Sequence, residues 1–212
     1  MNTLIQSLIQ LLLQSLPLFA LLTIITGVIY PFALTGLSHL MFPRQAMGSL
    51  LFDKNNVIRG SSLIGQEFSQ QKYFWSRPSA TGPYPYNAAG SSGSNIGPTN
   101  PKLLEQVKEK VKFLQAEHAP TLSEHRDERS GVRNPFASLP PQDLLTSSAS
   151  GLDPHISVAA AEYQLGRVAR ARNLEPAKLR SMVLKYTEGR DLGILGELRV
   201  NVLKLNMALD DL

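Results

Sequence analysis

The chain contains no cysteine. That excludes a disulfide scaffold, a Cys-ligated zinc site, an iron–sulfur cluster and a thiol nucleophile, and is compatible with either side of a membrane. Charge is scarce too. Only 18% of the 212 residues are charged, against about 25% in ordinary soluble proteins. The deficit is local: residues 1–43 hold no Asp, Glu, Lys or Arg, and all 21 basic and 17 acidic side chains lie from Arg44 onward. A plain cytosolic globule does not show that asymmetry. Where charge does occur, the signs alternate; residues 102–133 carry seven basic and six acidic side chains. No basic stripe results, so the pattern argues against nucleic-acid binding through a charged face. Common catalytic signatures are missing as well. There is no G-x-x-x-x-G-K-[ST] phosphate loop, no H-E-x-x-H, no G-x-S-x-G and no D-K-T-G phosphorylation segment.

What is present begins with a long apolar run. Residues 16–40, LPLFALLTIITGVIYPFALTGLSHL, are 25 residues with no Asp, Glu, Lys or Arg and one imidazole, His39. A spanning helix needs about 20, so the run predicts a transmembrane helix, with Pro31 inside it as the place for a kink. Gln6, Gln10 and Gln14 repeat upstream at four-residue spacing and make one polar stripe. A cleaved signal peptide requires a basic start and a shorter apolar core, so an uncleaved anchor over 1–43 is expected. Arg44, Lys54 and Arg59 on the C-terminal flank favour a cytoplasmic domain by the positive-inside rule, which is weak for long domains.

Residues 44–212 read as one small mixed α/β domain. Two short strands are expected within 48–68 around a polar turn at Lys54–Asn56, with Leu50, Phe52, Val57 and Ile58 as apolar members. Residues 73–101, YFWSRPSATGPYPYNAAGSSGSNIGPTNP, have neither helical nor strand period but carry five aromatic rings. Disordered linkers are poor in aromatics, so an ordered, functional loop is expected. A polar cap before Pro101 starts an amphipathic helix to about Glu117, through Leu103, Leu104, Val107, Val111 and Leu114. Residues 118–142 are charged and proline-punctuated and read as an exposed loop; His118 and His125 within it match no zinc spacing. Asp153-Pro154 looks like the start of an Ala-rich helix ending at Arg172, whose late arginines suit the helix dipole. Glu175-Pro176 opens another helix, glycines within Leu192–Gly196 make a turn, and Asn201 caps a last helix. Ser150, Asp153 and His155 are the residue types of a hydrolase set, but lie too close together in sequence to converge readily on one atom.

Six ordered segments then carry a resemblance. LIGQEF (63–68), YFWSRPSA (73–80), SGSNIGPTNP (92–101), TSSASGLDPHIS (146–157), QLGRVARAR (164–172) and LGELRVNVLKLNMALD (195–210) closely resemble the KdpC family. These are the C subunits of the KdpFABC potassium-importing P-type ATPases. The resemblance departs at 118–142, which is longer and more charged than the short link expected there.

The resemblance implies an α+β protein with one transmembrane helix and one soluble domain, working with the KdpA, KdpB and KdpF subunits. It implies an accessory, non-catalytic role in a complex of the cell inner membrane that hydrolyses ATP and carries potassium. No tightly bound cofactor is expected, and ATP enters only through KdpB. A second view makes the family a catalytic chaperone that raises the ATP affinity of KdpB, and links the Q-x-x-R-V-A segment, here Gln164, to nucleotide. An anchored extracytoplasmic enzyme using the Gly/Ser-rich loop is the alternative from another class. The family's arrangement places the soluble domain outside, so loop 73–101 is the expected docking surface for KdpA. Its candidates are Tyr73, Phe74, Trp75, Arg77, Tyr84, Tyr86, Asn95 and Asn100.

Overall fold

The computed structural model describes residues 2–122 and 139–212. They form two compact units, Met1–Ser49 and Leu50–Leu212; the sequence reading placed the division after residue 43.

The first unit is helical. Helix α1 (Asn2–Ile24) passes through one π turn (Ile25–Ile29) into α2 (Tyr30–Met41), and a short α3 (Pro43–Ala46) follows. The π turn lies where Pro31 acts. Proline has no N–H, and its ring crowds the carbonyl four residues back, which is Gly27, inside the wide turn. Tyr30 N–H reaches back five residues to Ile25 O. Thr23 and Thr26 donate their hydroxyls to Phe19 O (2.8 Å) and Leu22 O (2.7 Å), so neither brings an unpaired polar group to the apolar surface. Among the described residues one stretch, Ile5–Met41, is long and apolar enough to cross a membrane, and none of its most apolar 18 residues is buried. A core helix of a water-soluble domain would bury its apolar face; this one leaves all sides open.

The second unit is α+β. Strands β1 (Leu50–Phe52) and β2 (Ile58–Ser61) form an antiparallel hairpin, as expected. Asp53 at its turn accepts from Asn55 N and Val57 N (2.9 Å each). The Val57 amide bond is the main reason its carboxyl lies below the usual range. Helix α4 (Pro101–Leu122) begins where predicted, with Asn100 Oδ1 accepting from Lys102 N at 3.0 Å. It continues past Glu117, so His118 is not in an exposed loop but buried on α4. His125 and residues 123–138 lie outside the described residues.

The stretch after Asp153 differs from the sequence reading. Asp153 Oδ1 caps the His155 amide (3.0 Å) in a local turn, and His155–Ser157 is strand β3. Helix α5 (Val158–Arg172) starts three residues later, capped by Ser157 on Ala160 N (3.0 Å). An Asp-Pro pair suits an Asx turn as well as a helix start, and pairing with β5 decided the matter. Helix α6 (Pro176–Lys185), strand β4 (Thr187–Glu188), strand β5 (Arg199–Asn201) and helix α7 (Val202–Asp210) complete the unit. Strand β5 is central, antiparallel to β3 (Ile156 opposite Val200) and to β4 (Thr187 opposite Val200). Ile156, Val200, Leu165, Val168, Leu179 and Leu205 join the buried core with Phe74 and Trp75.

Candidate docking surface

Loop 73–101 has an inner rim made by its first residues and an outer arc from about residue 82. The inner rim belongs to no helix and pairs with no strand, so its backbone needs other partners. Helices α5 and α7 supply them through side-chain amides. Asn206 Oδ1 accepts from Phe74 N (2.9 Å) while its Nδ2 donates to Phe74 O (2.9 Å). Gln164 repeats the arrangement one residue on, accepting from Trp75 N (2.7 Å) and donating to Trp75 O (3.1 Å). Each amide thus replaces one rung of a missing β-ladder.

Arg167 lies beneath the same segment. Its guanidinium lies 3.8 Å from the Trp75 ring centroid. Its nitrogens donate to Gln71 O, to Tyr73 O (3.0 Å) and to Gln164 Oε1 (2.8 Å). Its Nε–H donates to His118 Nε2 (3.1 Å), so the proton of that imidazole sits on Nδ1, which faces Leu114 O at 2.7 Å. Burial holds the guanidinium down to about 10, and burial first, with Arg167 beside it, pushes His118 down to about 4. Arg172 closes the segment's start, donating to Lys72 O (2.7 Å) and pairing with Asp210 (2.6 Å).

The expected docking residues therefore divide. Phe74 and Trp75 are buried core residues, so their rings offer no surface for docking, contrary to expectation. Tyr73 and Tyr86 are half-buried. Tyr73 OH donates to Asp210 Oδ2 (2.8 Å), and Tyr86 OH donates to Arg77 O (2.6 Å), with burial raising that phenol to about 12. Arg77 is partly buried and pairs with Asp153 at 3.1 Å. Asn100 serves as a helix cap although exposed. Tyr84 (59% exposed) and Asn95 stand free on the outer arc. Gln164 is completely buried with its amide engaged at both ends, so this geometry gives it no reach to a nucleotide. Sequence reasoning missed Asn206 and Arg167 as organisers. Their one local signal was a polar side chain set among the buried faces of α7 and α5.

The outer arc is ordered by short hydroxyl and amide contacts more than by its rings. Ser79 Oγ donates to Gly151 O (2.7 Å), Thr81 Oγ1 donates to Tyr84 O (2.9 Å), and Asn87 Nδ2 donates to Gly82 O (2.7 Å). The 148–152 turn lies alongside, with Ser92 N donating to Ser150 O at 3.0 Å. Gly151 there has φ +68°, and a Cβ would fall 2.6 Å from Ser92 O. Gly65 is equally confined: a Cβ would come within 2.4 Å of the Tyr86 ring. Within the Gly/Ser-rich stretch, Gly93 serves close backbone approach, since a Cβ there would fall 2.8 Å from Ala149 O, while a Cβ at Gly97 would meet nothing.

Two clefts flank the loop. One of about 340 Å³ lies between it and α4, lined by Trp75, Arg77, Tyr86, Lys110 and Phe113. Another of about 640 Å³ lies between the β1–β2 turn and α7. Its charges are already matched, Lys54 with Asp211 (3.4 Å) and Arg59 with Asp53 (2.8 Å). Ser150, Asp153 and His155 do not assemble as a hydrolase set. His155 directs Nδ1 at Asp153 (3.6 Å) and Nε2 at Glu188 (3.3 Å), leaving no ring nitrogen for a serine. Among the described residues no three His, Asp or Glu gather to hold a metal.

These features define a class: a small α+β domain behind one long apolar helix, its interior polar groups committed to holding a rigid exposed loop. The particular family follows from comparison with known proteins. The chain belongs to the KdpC family, described as "K+-transporting ATPase, c chain", which matches residues 12–211. A potassium-transporting ATPase KdpC subunit of Dechloromonas aromatica is 51% identical over 201 residues, covering 94% of this chain and 96% of the relative. The same-named subunit of Methylococcus capsulatus is 54% identical over 190 residues (90% and 92% covered). That of Polaromonas naphthalenivorans is 52% identical over 198 (93% of each).

Proposed function

We propose that this chain is the accessory subunit that stabilises a potassium-transporting ATPase, joining its ion-translocating subunit to its ATP-hydrolysing subunit without performing chemistry itself. The observation that carries the reading is the family match over residues 12–211, which takes in both the apolar helix and the domain. In this reading the helix spans the inner membrane once, and the domain lies on the extracytoplasmic side. The outer arc of the loop docks on KdpA, with Tyr84 and Asn95 as its contacts. Flank charges count against this placement only weakly, because long domains translocate largely regardless of them. The exposed apolar faces of α1 and α2 support the anchor, and the fixed outer arc supports docking: a preordered loop loses little entropy on binding.

The absence of cysteine makes the test clean. In intact cells, Tyr84→Cys in the full chain reacts with a membrane-impermeant maleimide when the chain is expressed alone, and is protected when the other subunits are co-expressed. Reaction only after the inner membrane is opened overturns the sidedness. Equal reaction with and without the other subunits overturns docking through the loop.

A further inference from the structure

Between β4 and β5 the chain makes a finger whose apolar side chains find no cover. Residues 189–198, GRDLGILGEL, are all exposed. Leu192 is 90% exposed, Ile194 75%, Leu195 56% and Leu198 53%. Four neighbouring aliphatic side chains in water on one tip is the kind of surface that marks a contact site.

The tip has a fixed shape. Asp191 and Leu195 exchange both backbone hydrogen bonds, N to O at 2.8 and 2.9 Å. Arg190 pairs with Glu197 (2.9 Å), and Arg199 with Asp191 (3.0 Å). Leu192 adopts φ +54° between these ties. Leucine is uncommon at positive φ, where Gly or Asn fits without strain. Here the side chain also gains little packing from the described residues, being 90% exposed, so they give no reason for leucine at this position.

Resting on the reading that this chain works inside the ATPase complex, we propose that the β4–β5 tip is a docking finger. It inserts Leu192 and Ile194 into an uncharged apolar groove on another protein subunit. The charges select this occupant. Arg190, Asp191, Glu197 and Arg199 sum to zero and pair among themselves at the base of the tip. No cation is left over for lipid phosphates, and the segment has no Trp or Tyr, the residues that settle at a bilayer interface. A second copy of this chain fits poorly as well. Ten residues fall short of the roughly 20–30 a side of a stable interface, so the finger suits one anchor of a larger contact.

The conformation supplies the test. Asn suits the positive φ at 192, so L192N/I194T keeps the finger's fold and removes its apolar character; L192M/I194L keeps both. The assembled complex is purified through a tag on the ATP-hydrolysing subunit, and retention of this chain is measured after a detergent wash. The expected result is a loss of about tenfold for the polar pair, with the apolar pair like the parent. A photoreactive residue at 194 is expected to form an adduct with another subunit. Parent-like retention of L192N/I194T, or an adduct only with lipid or with a second copy, overturns the proposal. If retention is unchanged while Tyr84→Cys remains protected in the complex, the finger fails and the accessory reading stands. If the parent chain itself is not retained with the tagged subunit, the accessory reading falls and the finger with it.

Discussion

Arg167 shows how much one side chain organises. Among the described residues no ion pair ties it to a carboxylate; its charge is met by two carbonyls, an amide oxygen, an imidazole and the face of Trp75. That set works only while His118 is neutral. The imidazole must accept at Nε2 and donate at Nδ1, and a proton on Nε2 would set two cations 3.1 Å apart. Burial holds His118 at about 4, below the 6.5 of a free histidine. The unfolded chain therefore binds the extra proton first, and stability falls as pH drops from about 6.5 toward 4. The loss attributable to this one group is of order 3 kcal/mol. His118→Gln should flatten the fall of the thermal midpoint across that window. A slope equal to the parent's would show that the histidine carries none of it. Asp53, Asp153 and Glu188, also held low, titrate in parent and variant alike; in Asp153 and Glu188 burial works the other way and is outweighed by hydrogen bonds and ion pairs, from His155 and Arg77 at Asp153 and from Lys204, His155 and Arg199 at Glu188.

At the scale of elements, the informative piece is the extended segment from Tyr73 to Arg77. It pairs with no strand, and two side-chain amides satisfy its backbone at Phe74 and Trp75. Gln164→Ala or Asn206→Ala leaves a buried N–H and a buried C=O unpaired. Each substitution should cost about 2–4 kcal/mol. Because both clamp adjacent residues of one segment, the double variant should lose less than the sum. Thermal unfolding of the full chain in detergent measures this; a loss below about 0.5 kcal/mol for either single variant would mean that water replaces the clamp.

The helices were legible for a local reason, since apolar spacing, prolines and caps mark α4, α5, α6 and α7 within a few residues. The three-residue strands β3 and β5 were not. A run that short has no measurable period, and only the pairing of Ile156 with Val200 makes it a strand. The burial of the loop's rings was half legible for the same reason. Aromatic content marked the loop, but whether a ring points inward depends on helices distant in sequence.

For the whole molecule, the 37-residue, predominantly apolar stretch Ile5–Met41 is the dominant feature. At about 1.5 Å per residue the stretch exceeds the roughly 30 Å of bilayer hydrocarbon, leaving room for the Gln6–Gln14 stripe outside it. Under the proposed reading, Val28→Asp with Phe32→Asp places two carboxylates one turn apart near mid-span, each costing about 2.5–3.5 kcal/mol to insert. The chain should shift from the membrane pellet to the soluble fraction after alkaline carbonate extraction. Retention in the pellet would mean that something other than lipid insertion holds it there.

Local chemistry alone determined a good deal about this protein: an uncharged apolar helix at the start, four amphipathic helices after it, an aromatic loop between them, and six segments specific enough to identify the family. Only the tertiary structure decided which polar residues go inside. Gln164 meets Trp75 across 89 positions and Asn206 meets Phe74 across 132. A buried amide is stable only when its partner arrives, and no local period records a partner that far along the chain. The same holds for the finger at Leu192, which became visible only once the rest of the chain had folded and left it bare.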